Sequence, residues 1–169
     1  FTVLRHEVGP NFQRTRAVGS EATIAAGSVH WDWLFEPPSD TSRGWLRAEL
    51  WTWATDPVAD LPTAAPSGLL RADRMRIDAL RLPDHRARYL DFEGPLSDHR
   101  GHLQQRFAGL GDWRYQTEEE CFFQIREILI GDHPPVPMLS ALIFHRKSNS
   151  NIENHWELQI VLAGPEGAG

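Results

Sequence analysis

The feature that most constrains this chain is the shortness of its apolar runs. They fall at residues 1–4, 29–35, 45–53, 89–92, 122–130, 139–144 and 156–161, and they are rich in aromatic and β-branched side chains. Runs of about 4–8 residues of this composition read as strands, because a globular helix needs a longer amphipathic stretch. The segment LRAELWTW alternates, with Leu46, Ala48, Leu50 and Thr52 on one side and Trp45, Glu49, Trp51 and Trp53 on the other. CFFQIREILIG fits a short helix or a strand, and both stay open because Gly131 and a Pro-rich turn follow it. The connectors EPPSDTSRG, TDPVADLPTAAPSG, GDHPPVP and KSNSNIEN hold the turn residues. Many short strands joined by polar turns predict a mostly β fold, a compact antiparallel β-barrel with short flanking helices.

At 169 residues the chain suits one domain, expected over 1–163, with a disordered GPEGAG tail at 164–169. No repeat appears, and the Pro/Ala-rich stretch after Trp53 does not separate two cores. No segment approaches the roughly 18 apolar residues of a membrane helix, so a soluble protein with no membrane partner is expected. Cys121 is the single cysteine, which excludes an internal disulfide, and FTVLRHEVGP lacks the order of a secretory signal. A cytoplasmic monomer is therefore expected, with Cys121 as a small buried hydrophobe.

The net charge of −6 argues against coating by nucleic acid, since such binding needs many cations to displace condensed counterions. Any such contact must be local. One basic stretch exists, where Arg71, Arg74, Arg76, Arg81, Arg86 and Arg88 surround His85. It is either a solvated surface paired to Asp73, Asp78 and Asp84 or a phosphate-facing rim.

The chemistry centres on His30-Trp31-Asp32 in a strand-like run. Residues two apart on a strand share a face, so His30 and Asp32 converge while Trp31 turns away. The alternative is a hydrogen-bonded surface pair. His6 follows the run FTVL and His85 precedes YLDF, which places both at expected strand ends. Two imidazoles and a carboxylate leave positions open on a divalent ion, as a catalytic metal requires, and suit Mn²⁺, Fe²⁺ or Zn²⁺.

FTVLRHE, VHWDWLFE, LWTW, LPDHRARYLDFEG, GDWRY and, more loosely, LIFHR and HWELQ follow one another along nearly the whole chain. In that order they resemble the 3′-phosphoesterase domain of bacterial DNA ligase D and its stand-alone relatives. The resemblance implies metal ligands at His6, His30 and Asp32 and a phosphate contact at His85, with Arg86 and Tyr89 beside it. It also implies a divalent ion, Mn²⁺ first with Zn²⁺ or Fe²⁺ as alternatives, and removal of a 3′-phosphate or 3′-ribonucleotide in DNA end repair. The partners expected are a nucleic-acid 3′ end or a small phosphoester, and a separate ligase or polymerase. Arg76, Arg81 and Arg88 would form the rim. Glu36 and Glu93 fall in matched blocks and could orient a ligand histidine, although Glu93 could equally cap the turn at Gly94-Pro95. Tyr89 could reach a phosphate or fill the core. His99 and His102 are outside candidates for the rim, and His133, His145 and His155 are expected to be structural.

The chain departs from the family in three places. Leu34 stands where the family has an Arg, Asp56 where it has a Lys, and residues 8–28 form an insertion in which Arg14 or Arg16 could replace a lost cation. The runner-up enzyme is a non-haem iron oxygenase in which His30, Asp32 and His85 bind iron and His6 is idle. A binding module that kept the fold and lost its turnover is the third reading.

Overall fold

In a computed structural model of the chain, residues 1–12, 26–38, 49–58, 61, 74–129 and 139–162 are described. Most of them lie in nine strands: β1 (Thr2–Val8), β2 (Val29–Phe35), β3 (Glu49–Thr55), β4 (Arg74–Arg86), β5 (Gly94–Pro95), β6 (Gly101–Gln116), β7 (Glu120–Leu129), β8 (Leu139–Arg146) and β9 (His155–Leu162). They form one antiparallel sheet in the order β1-β2-β3-β4-β9-β8-β7-β6-β5. Because β1 pairs with both β2 and β6, the sheet rings round on itself. The mostly β, antiparallel expectation holds. No helix of the described residues is long and apolar enough to cross a membrane.

The expected flanking helices are not found among the described residues, where the helical pieces are two 3-10 turns, Ala87–Leu90 and Ser97–His99. The physical reason is the period: apolar positions that recur at every second residue are taken up by strands and leave no helical face. The open segment at 121–131 resolves the same way, since Cys121, Phe123 and Ile125 are buried alternately on β7. The run at 89–92, expected as a strand, instead forms the first 3-10 turn and its exit. Its side chains Tyr89, Leu90 and Phe92 pack down onto the sheet.

Besides the two-residue β5, two long strands fall outside the apolar runs. β4 hides behind its charges: Arg74, Arg76 and Asp78 face solvent while Met75, Ile77 and Ala79 face the core. β6 hides behind its glycines. A Cβ at Gly109 would lie 2.6 Å from the Phe1 ring and one at Gly111 2.5 Å from Phe123, so both let the strand pass close over aromatic rings. The alternating residues Trp45 to Ala48, together with Arg14, Arg16, Arg71, Asp73, His133 and the tail, lie outside the described residues.

Strands all round the ring share one core that includes Trp33, Phe35, Trp53, Phe123 and Phe144. Trp53 stacks on Phe144 at 4.1 Å between centroids, and the Trp33 indole N–H donates to Thr55 Oγ1 at 3.0 Å. On the opposite sheet face Leu4, Leu34, Leu50 and Leu103 form a second core beneath Tyr89, Leu90, Phe92 and Leu96. The Glu93 carboxylate accepts the Gln105 backbone N–H at 2.6 Å and ties that covering segment to β6.

Candidate metal centre

Strand register brings the proposed ligands together. His6 stands opposite His30 and Leu4 opposite Asp32 in the β1–β2 pair. Alternation then puts these side chains and Leu34 on the face of the second core, while Trp31 and Trp33 enter the ring core. The insertion does not disturb the pairing, because it leaves and returns at one rung. Val8 N–H donates to Ser28 C=O at 2.8 Å, and Gly27 N–H to Val8 C=O at 2.7 Å.

One donor atom each from His6, His30 and Asp32 lies within 4.8 Å of the others, and all three residues are buried. His6 Nδ1 is 3.1 Å from His30 Nε2 and 3.7 Å from Asp32 Oδ2, and His30 Nε2 is 3.4 Å from Asp32 Oδ1. Donors each about 2.1 Å from one ion would be about 3.0 Å apart at a right angle and about 3.4 Å apart at the tetrahedral angle. The His6–His30 and His30–Asp32 spacings match these values, and His6 faces the other Asp32 oxygen at a slightly longer distance. His6 Nε2 lies 3.2 Å from the Arg100 carbonyl, which accepts its N–H and turns the Nδ1 lone pair toward the group. This group could hold a divalent ion, and its donors are common to Mn²⁺, Fe²⁺ and Zn²⁺.

No protein-family model matches this chain, and no curated protein matches it. The site is therefore read from its own geometry.

A cavity of about 90 Å³ opens beside the ligand group. Its polar side is made by His6, Asp32, His85, Tyr89 and Arg100, and its apolar side by Leu4, Phe12, Leu34, Leu96 and Leu103. His85 thus joins the pocket from the end of β4. Its Nδ1 bonds the Pro83 carbonyl at 2.9 Å, which fixes a proton there and leaves Nε2 as the atom that can take or give one. Tyr89 packs at 5.8 Å from His85, and the Arg88 guanidinium lies 5.1 Å over the Tyr89 ring.

The remaining candidates sit elsewhere. Arg81 lies 4.8 Å over Trp53 and pairs with Asp84 at 2.5 Å, so it does not line this cavity. Arg76 pairs with Glu157 at 3.6 Å on the outer side of β4, and exposed Arg86 stands opposite Glu49. Glu36 follows β2 at the end away from His30, where its backbone carbonyl takes the Trp113 N–H at 2.9 Å. Glu93 is bonded to β6 as described. His99 and His102 are exposed, and Cys121 is buried with its thiol pushed up by desolvation.

Sequence reasoning missed Arg100, Phe12 and Gly101. Phe12 meets the His6 ring at 4.9 Å and the His30 ring at 5.7 Å. The signal for Gly101 is the lone glycine of SDHRGH, standing at the entry to a long strand. Gly101 has φ +135°, and a Cβ there would lie 2.2 Å from the Glu7 carbonyl and 2.7 Å from His6 Nε2. Gly101→Ala is expected to cost roughly 3 kcal/mol in denaturant unfolding and to weaken metal binding about 10- to 100-fold. Gly27→Ala is the control: its φ is +83° with nothing within 4 Å, and it should cost only about 1 kcal/mol with no change in metal affinity.

Ser150, His155 and Asp78 make a second chemical line. Ser150 Oγ is 2.6 Å from His155 Nδ1, and His155 Nε2 is 3.0 Å from Asp78 Oδ1. Ser150 Oγ also accepts the Ile152 N–H at 3.1 Å, and Asp78 pairs with Lys147 at 2.5 Å. These bonds staple the β8–β9 connection to β4. The Lys147 hydrogen bond, with His155 adding to it against desolvation, holds the Asp78 carboxyl below the usual carboxylate range. A depressed carboxylate stabilises fully above its unfolded pKa and loses that contribution as pH falls through the folded value. Wild type should therefore lose its stability advantage over Asp78→Asn below about pH 4, as followed by unfolding at stepped pH.

Proposed function

We propose that this chain is a metal-dependent phosphoesterase. Its substrates would be nucleic-acid 3′ ends, bearing a 3′-phosphate or 3′-ribonucleotide, or a smaller phosphoester of the same chemistry. The observation that supports this most is the shared cavity: His85, Tyr89 and Arg100 face the space that His6 and Asp32 also line. A bound divalent ion would supply Lewis-acid polarisation of a phosphoryl oxygen or an activated water. His6, held by the Arg100 carbonyl, would keep its Nδ1 directed at that ion, with His30 and Asp32 beside it. His85 Nε2 would give a proton to the leaving oxygen or hold the phosphoryl group. The Arg100 guanidinium donates two of its N–H groups to Ser97, through Nε at 3.1 Å and Nη2 at 2.9 Å, and keeps others for an anion.

The ring of strands is read here as a closed barrel carrying its site on one wall. The oxygenase alternative required His85 as third ligand with His6 idle. The position of His6 among the donors favours the phosphoesterase reading over that arrangement.

The loss of the family Arg at position 34 has a physical counterpart. Leu34 is fully buried in the second core, and burial of a leucine contributes about 1.5–3 kcal/mol to stability where an arginine would grip phosphate. Turnover should therefore be slow. The test is an assay of 3′-phosphate, 3′-ribonucleotide and small phosphoester substrates with Mn²⁺. Metal-dependent phosphate release supports the proposal, O₂-dependent turnover with iron would replace it, and ion binding with no turnover on any substrate favours the binding module.

A further inference from the structure

We propose that the phosphoester taken by this site is a small one bearing a short aliphatic group, and that a nucleic-acid end is not its substrate. The inference rests on the phosphoesterase reading and narrows its substrate. Half of the cavity wall is hydrocarbon. Leu4, Leu34 and Leu103 are 1%, 0% and 4% exposed, so beside the ligand group they offer no hydrogen bond to a phosphoryl oxygen. Period two places Leu4 next to His6 and Leu34 next to Asp32 on the same strand face, so the apolar wall adjoins the donors directly. An ester held beside His6 and Asp32 would therefore have leucine side chains within reach of its carbon side.

Size limits how much of that carbon side the wall covers. The cavity, about 90 Å³, opens to solvent, so its leucine wall meets the first few carbons of an ester and does not enclose the whole molecule.

Charge points the same way. Tracking a polyanion needs several free cations along its path. Arg76 is paired with Glu157 and Arg81 is held by Trp53 and Asp84, while Arg88 lies over Tyr89 and exposed Arg86 stands opposite Glu49. Arg100 alone among these arginines lines the cavity, which suits one dianionic head. The whole chain carries a net charge of −6, which opposes a longer polyanion.

The experiment is calorimetric titration of the Mn²⁺-loaded protein with inorganic phosphate, methyl phosphate, n-butyl phosphate and a 3′-phosphorylated oligonucleotide. Butyl phosphate should bind about tenfold or more tighter than methyl phosphate, because each buried methylene is worth several-fold in affinity. The oligonucleotide should bind no tighter than methyl phosphate. In Leu96→Asn, which makes the edge of the apolar wall polar, the butyl preference should shrink severalfold while Mn²⁺ and inorganic phosphate bind as before. Equal affinity for the butyl and methyl esters in the wild type, or a preference for the oligonucleotide, would overturn the inference and leave the phosphoesterase reading standing. Failure of phosphate and every ester to bind the Mn²⁺-loaded protein would overturn both. The wild-type series decides the matter even if the variant folds poorly.

Discussion

His85→Ala should lower metal-dependent turnover by about 10²–10⁴-fold, the range for removing a positioned acid or base. Mn²⁺ affinity should stay within about twofold, because charge and donor count at the ion are unchanged. The split follows from position. His85 lies on the cavity wall, outside the mutually close donors of His6, His30 and Asp32. Its ring is held by the Pro83 carbonyl on one side and by Tyr89 at 5.8 Å on the other, so the imidazole arrives already oriented. Tyr89→Phe keeps that packing and removes only the hydroxyl. It should therefore have a much smaller effect than His85→Ala. Steady-state rates and metal titrations on the same preparations make the comparison. Undiminished turnover in His85→Ala would remove this residue from the chemistry, and a parallel collapse of metal affinity would make it a ligand.

Asp32→Asn should reduce divalent-ion affinity by more than about 100-fold, since it deletes the only anionic donor among the three candidate ligands and exceeds the usual cost of losing an outer hydrogen bond to a ligand. Thermal unfolding offers a readout independent of turnover. An ion at about 100 times its dissociation constant stabilises the native wild type by about 2.7 kcal/mol, and chelation removes that gain. The variant should show no gain at the same concentration. Without metal, Asp32→Asn should fold as well as wild type, within about 1 kcal/mol, because asparagine keeps the shape and avoids burying a carboxylate beside two imidazoles. A variant that unfolds without metal would mark Asp32 as structural. One that still gains stability from Mn²⁺ would place the ion elsewhere.

Much of the fold and the ligand group was readable from local pattern. The runs at 29–35, 139–144 and 156–161 became β2, β8 and β9 nearly as read, because alternation reports which face of a strand is buried. The same rule put His30 and Asp32 on one face and Trp31 on the other. β4 and β6 escaped because on β4 the inward Met75 and Ile77 stand between the charged Arg74, Arg76 and Asp78, and on β6 glycines occupy positions 109 and 111. Period-two arguments weaken when the apolar partner of each pair is Ala79 or Gly109.

Alternation is a property of neighbouring residues, and it alone makes this a strand-rich chain with His30 and Asp32 side by side. What surrounds them is set by the packing of distant segments. The antiparallel register of β1 against β2 set His6 opposite His30 across a long connection. The passage of residues 97–101 over β1 brought the Arg100 carbonyl to His6. The folding of 87–96 onto the second core put Tyr89 and Leu96 on the cavity with His85 and took Glu93 to β6. These are contacts between residues distant in the chain. Their geometry depends on how whole strands pack and pair, and a pattern read over a few adjacent residues does not contain it.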